Sequence, residues 1–155
     1  MKLLHALALS IALLVAAWVG LSIGLPTLQL NPWIGFVAWA TFFAAGGGRE
    51  ALLKAGWAAL AGVVLTACTM YAVGLAGGGL GALALLVALL AFVLVAMAEF
   101  PALAYTPAAF LGAATYFGAT GDTFDKALFV VLTWLAGLAF GFMSESFGKR
   151  MTRAT

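Results

Sequence analysis

Apolar stretches alternate with short polar, glycine-rich or proline-containing breaks along this chain, and six stretches stand out at residues 3–23, 33–45, 51–73, 80–98, 102–119 and 127–143. Most are long enough to be read as membrane helices. The first could be taken for a secretory signal. It is longer than the roughly 7–15-residue core of such signals, no clean small-x-small cleavage site closes it, and more apolar segments follow, so it reads as a first span. Pro26, Asn31 and Pro32 break it, because proline cannot sit in a regular helical ladder. The second stretch is short. At 1.5 Å per residue it reaches only about 20 Å against a hydrocarbon core of roughly 30 Å. It must borrow length from the proline-containing approach, or be a re-entrant helix lined by protein. Gly46-Gly47-Gly48 ends it, and Arg49, Glu50 and Lys54 mark a polar hinge. Residues 74–79 make an uncharged turn. The fourth stretch is almost purely aliphatic and is expected to face lipid, Glu99-Phe100-Pro101 stops it, and Pro107 is expected to interrupt the fifth.

One segment recurs. Phe36, Ala40, Thr41, Phe43, Ala45 and Gly47 match Phe110, Ala114, Thr115, Phe117, Ala119 and Gly121 at a constant spacing of 74 residues, and Asn31-Pro32 and Thr106-Pro107 precede the two copies. The chain therefore reads as a duplicated three-segment unit, residues 1–75 and 76–155. A unit with an odd number of crossings places its second copy upside down. Inverted repeats of this kind recur in channels and transporters, with the site near the midplane and marked by short, interrupted segments.

Composition restricts the class. With 66% hydrophobic and 8% charged residues, the chain cannot hide its apolar surface from water as a soluble domain does, so its solvent is lipid. Cys68 and His5 are the only cysteine and histidine, which excludes an internal disulfide and leaves no zinc or haem constellation; no cofactor is expected. Seven scattered basic residues do not make a nucleic-acid surface. Their placement orients the chain. Six spans with both termini cytoplasmic put Lys2, Arg49, Lys54, Lys149, Arg150 and Arg153 inside and only Lys126 outside.

Candidate chemistry is sparse. Thr41 and Thr115 are the repeated hydroxyls in apolar helices; they either bond their own helix or line a path as donor and acceptor for a small solute. Phe42, Phe43, Tyr116 and Phe117 follow them as packing residues or as a constriction. Asn31 lies at the first proline-containing approach. Glu99 is either solvated beside headgroups or guards the cytoplasmic mouth. Glu50, Asp122 and Asp125 suit helix N-termini, and Glu145 suits snorkelling or an i,i+4 pair with Lys149. No acid falls convincingly at mid-membrane, which speaks against a pump. No nucleophile–base pair, phosphate loop or metal-ligand spacing occurs, so an enzyme is not expected.

The segments Trp33-x-Gly35-Phe36, Phe43-Ala44-x-Gly46-Gly47, Pro107-x-x-Phe110-x-Gly112 and Phe117-(x)3-Gly121-Asp122 resemble a bacterial family known as domain of unknown function 1097. That resemblance implies a small inner-membrane protein and names no substrate. Asn31-Pro32-Trp33 before an apolar helix is also similar to a short motif of urea channels. The reading is an all-α, six-span inner-membrane protein of two inverted three-helix repeats, forming a homo-oligomeric channel or facilitator for a small neutral or polar solute. A non-transporting membrane subunit or scaffold is the alternative from another class. An exporter of small metabolites coupled through Glu99 is the third. Gly20 with Gly24, and Gly137 with Gly141, are small-xxx-small pairs for close helix approach.

Overall fold

A computed structural model of the chain describes residues 2–120 and 123–153, and all regular structure among them is helical. Gly121 and Asp122 lie outside the described residues, as does the side chain of Arg153. Six α-helices follow one another: α1 Leu3–Gly24, α2 Pro32–Ala44, α3 Gly48–Leu75, α4 Leu80–Ala96, α5 Thr106–Gly118 and α6 Thr123–Arg153. Three-residue 3-10 turns lie at Pro26–Leu28, Met97–Glu99 and Pro101–Leu103. Among the described residues, four segments are long and apolar enough to cross a membrane: Leu3–Gly24, Gly48–Leu75, Leu80–Glu99 and Thr123–Thr152.

The two short helices share a plan. Each has 13 residues, and their starts, Pro32 and Thr106, are 74 positions apart. The 3-10 turns ahead of them begin at Pro26 and Pro101. Here the sequence reading needs correction: Pro107 does not interrupt a fifth span but opens α5. Proline in the first turn loses no helical bond, since the amides there have no intrahelical acceptor. The matching Pro32 does the same for α2, with Asn31 as the cap; its Oδ1 accepts from the Trp33 amide at 3.2 Å. The sixth helix is longer than the expected 127–143. Nothing from Thr123 to Arg153 breaks it, and Asp125 in its first turn complements the helix dipole.

Two helices stop in the same way. After α2, the Gly47 amide donates to Phe42 O and the Gly46 amide to Phe43 O; after α3, Gly78 donates to Val73 O and Gly77 to Gly74 O. Gly46 and Gly77 take φ of 102° and 90°, values that a side chain disfavours, so a left-handed C-terminal cap needs glycine at both places.

The described residues pack as two compact units, one drawn from Met1–Leu52 with Leu132–Thr155, the other being Leu53–Val131. In the first unit α2 runs alongside α6 in the same direction. Asn31 N donates to Thr133 Oγ1, Gly35 meets Gly137, Phe42 meets Gly141, and Gly48 N donates to Glu145. The helix α1 runs the opposite way: Leu7 lies on Gly148, Ser10 Oγ donates to Ser144 O, and Trp18 packs on Gly35 with its Nε1 donating to Pro32 O. α2 and its flanks therefore traverse this unit from the Pro32 end to the Gly48 end and do not turn back. Gly137 and Gly141 serve packing inside the unit, whereas a Cβ at Gly20 or Gly24 would meet nothing within 4 Å.

The second unit repeats this arrangement with the partners exchanged. α5 crosses α3 where Gly62 meets the Ala109 carbonyl and Gly112 meets the Ala59 carbonyl. Lys54 lies 5.6 Å from the Tyr105 ring centroid at one end; Tyr71 meets Phe124, and Tyr116 meets Thr123, at the other. Gly35 and Ala38 correspond to Ala109 and Gly112 at the repeat spacing, and Gly62 corresponds to Gly137 one residue further on. The short helix of each half of the sequence thus packs on the long helix of the other half, through small residues in matching positions. α4 buries only Leu90 and Leu94 of its 17 residues, as expected of a lipid-facing helix.

Candidate functional site

The repeated threonines lie on the buried faces of the short helices. Thr41 is 2% exposed, and its Oγ1 donates to Val37 O at 2.7 Å; Thr115 is fully buried, and its Oγ1 donates to Gly112 O at 2.8 Å. Both hydroxyls thus donate to a carbonyl one turn back, as a hydroxyl in an apolar helix does. Phe42 is buried against Gly141 and Phe142, with Phe43 half-buried and edge-on to it. Tyr116 is buried, its hydroxyl 3.4 Å from Thr123 O and its ring 4.6 Å beneath Lys126 Nζ, whereas Phe117 is exposed. Asn31 acts as the α2 cap, and Glu99 is exposed at the end of the 3-10 turn after α4. Asn31, Thr41, Phe42 and Phe43 belong to the first unit; Glu99, Thr115, Tyr116 and Phe117 belong to the second.

Two polar clusters join distant segments of the first unit, a buried one at Ser144 and a partly buried one at Glu145, and apart from the Glu145–Lys149 spacing the sequence does not signal them. At Ser144, the hydroxyl donates to Gly141 O at 2.8 Å and accepts from Trp39 Nε1 at 3.1 Å, while its carbonyl accepts from Ser10 Oγ at 2.8 Å. These bonds tie α1, α2 and α6 together. The next residue is Glu145. Its Oε2 accepts from Gly48 N at 2.7 Å, its Oε1 pairs with Lys149, and its side chain is 13% exposed. The i,i+4 pair was foreseen from the spacing. The carboxylate's main task was not: it caps the first turn of α3, where the amides carry no intrahelical acceptor and the dipole favours an anion. Gly47, at φ 71°, has its Cβ position occupied by the carboxylate. No local pattern signals a bond between residues 97 positions apart.

The model of a family described as "Protein of unknown function (DUF1097)" matches residues 8–149 of this chain. The chain belongs to that family. It is also 34% identical over 151 residues to the uncharacterized protein YahC of Escherichia coli (strain K12), covering 92% of this chain and 85% of that protein. No solved structure matches it. DUF1097 thus brings no substrate to the site, and the 8–149 match takes in both threonine-aromatic segments and Glu145.

Proposed function

We propose that the protein is a six-span channel or facilitator of the inner membrane, built from two inverted three-helix repeats and passing a small neutral or weakly polar solute. The observation that carries this reading is the pair of 13-residue helices at one spacing. Each reaches about 20 Å, so roughly a third of the hydrocarbon thickness beside it is left to non-helical backbone. Non-helical backbone at membrane depth is tolerated where it is buried in protein or faces a water-filled cavity. Short or broken helices in matching places of two halves are where secondary transporters hold their substrates. Both short helices would then be crossings, with Thr41 and Thr115 as the polar side chains lining the path, Phe42, Phe43, Tyr116 and Phe117 setting its width, and Asn31 and Glu99 at the approaches. Such a passage needs no energy source. Both termini would face the cytoplasm with the basic residues, and a protomer of 155 residues has few helices to enclose a path, which favours a homo-oligomer.

A specific observation favours the scaffold reading as the second. Both repeated hydroxyls bond their own helix, and the aromatic beside each is buried, which is what a segment used only for packing requires. Because the Thr41 hydroxyl proton goes to a local carbonyl, valine there keeps the shape and is expected to cost stability no more than about 1 kcal/mol. Proteoliposomes challenged with urea, glycerol and small amides in stopped-flow light scattering are expected to re-swell faster than empty liposomes. The Thr41→Val, Thr115→Val protein is expected to lose most of that acceleration while staying folded. Undiminished flux in the double variant removes the hydroxyls from the path; no flux from folded wild-type protein favours the scaffold. The exporter reading requires flux that follows an imposed proton gradient and falls with Glu99→Gln.

A further inference from the structure

The connection between α1 and α2 holds a feature that packing does not explain. Among the described residues, Gln29 is the only one other than glycine with a positive φ, 50° with ψ 27°. The other positive values, at 46–48, 77 and 78, belong to glycines. A side chain in this left-handed region crowds its own backbone, so glycine is the residue that such a turn favours. Contacts within the protein do not offset the cost. The Gln29 side chain is exposed and, among the described residues, has no hydrogen-bond partner. Strain that no contact explains marks a side chain with a task of its own.

The chemistry at this place occurs nowhere else in the chain. Gln29 and Asn31 are its only carboxamides, two positions apart. Asn31 commits its Oδ1 to the Trp33 amide, which leaves its NH2 group and the whole Gln29 carboxamide available. Pro32 O accepts from Trp18 Nε1, whereas α1 runs on to Gly24, more than a turn beyond Trp18. Residues 25–31 therefore lead back into the first unit to reach α2. Charge is missing there. No Asp, Glu, Lys, Arg or His occurs from residue 6 to 48, or from 132 to 144. On α6 the nearest are Asp125 and Lys126, about two turns beyond Thr133, whose Oγ1 meets the Asn31 amide. A carboxamide without a charge beside it suits a neutral partner that offers a donor next to an acceptor. A small primary amide meets this by two hydrogen bonds at once. A carboxylate of the same size brings a charge with no cation to receive it and has no donor, and an alcohol has no carbonyl acceptor.

We propose that Gln29, assisted by Asn31, selects small primary amides at the Pro32 end of the first unit. Its place at the entrance to a path rests on the channel reading, but its binding is measurable without flux. With purified full-length protein in detergent, ligand-detected NMR is expected to show saturation transfer to acetamide and several-fold less to acetate. Gln29→Gly keeps the turn, because glycine accepts this φ, and is expected to hold or raise the thermal midpoint. The same variant is expected to weaken acetamide binding by roughly three- to tenfold, the worth of one neutral hydrogen bond. Gln29→Asn, a shorter carboxamide tolerated in this conformation, is expected to retain part of the signal. In proteoliposomes the ratio of acetamide to glycerol flux is expected to fall several-fold in Gln29→Gly, with glycerol flux kept. A Gln29 that serves only the turn would move the midpoint alone. Acetamide transfer no greater than that of acetate, wild-type transfer in Gln29→Gly, or an unchanged flux ratio in that variant would each overturn the proposal. Acetamide binding that depends on Gln29, in a protein that conducts nothing, would support the site and remove the channel.

Discussion

Replacing Gly62 by valine is expected to prevent the second unit from forming its α3–α5 crossing, and Gly137 by valine to do the same for α2 and α6 in the first. At Gly62 even a single Cβ would run into the Ala109 carbonyl, and at Gly137 into the Gly35 carbonyl and Ala38 Cβ. These obstacles are backbone, or alanine held rigidly to backbone, so no rotamer change relieves them. In a membrane, close approach of backbones is itself what stabilises a helix pair, because lipid is as apolar as the side chains and burial adds little. Overpacking of this kind costs typically about 1–3 kcal/mol and more where the backbone must shift, which here means separation of the helices. Unfolding monitored by circular dichroism in detergent is expected to show a large fall in midpoint or loss of folded protein for both variants. Gly20→Val, on α1 where nothing lies within 4 Å of a new Cβ, is the control that should leave the midpoint unchanged. A normal midpoint for Gly62→Val would refute the crossing.

The second large effect is expected at Glu145. Alanine there leaves the Gly48 amide without its acceptor in a partly buried place and removes the pair with Lys149. The amide bond to a charged acceptor is the larger loss, about 2 kcal/mol. The Lys149 pair adds little, because that lysine is 53% exposed and its charge is screened by solvent. Glutamine keeps an acceptor oxygen but no charge at the N-terminus of α3, and is expected to restore about half of the stability. Lys149→Gln is expected to be near neutral. A protein in which Lys149→Gln costs as much as Glu145→Ala would reverse this assignment and make the ion pair the principal contact.

The helices themselves were legible because apolar runs bounded by Gly and Pro leave few other choices in lipid. Their ends were less so. Pro107 read as an interruption because proline is costly inside a helix, yet in the first turn it costs nothing, and only its match to Pro32 hinted at that. The sixth helix read short because Ser144, Glu145 and Lys149 are polar, although polarity does not break a helix and all three carry partners in the fold. The threonine-aromatic repeat was visible as a pattern, but whether a hydroxyl bonds its own helix depends on its rotamer, which no sequence shows. Least legible were the contacts between distant segments: Trp18 on Gly35, Ser10 on Ser144 and Glu145 on Gly48. Each joins residues with no shared local signal, and each depends on small residues placed where two helices cross.

The solute path depends on α2 and α5 being true crossings, related by inversion. Cysteines placed one at a time in a Cys68→Ala background, in cells treated with a membrane-impermeant maleimide, test this most directly. With six crossings, Ala76→Cys and Lys126→Cys are expected to label from outside, while Glu50→Cys and Glu99→Cys are expected to label only after the cells are opened. Outside labelling of Glu50→Cys and Glu99→Cys would mean that the short helices do not cross, and would contradict the inverted repeat and the solute path together.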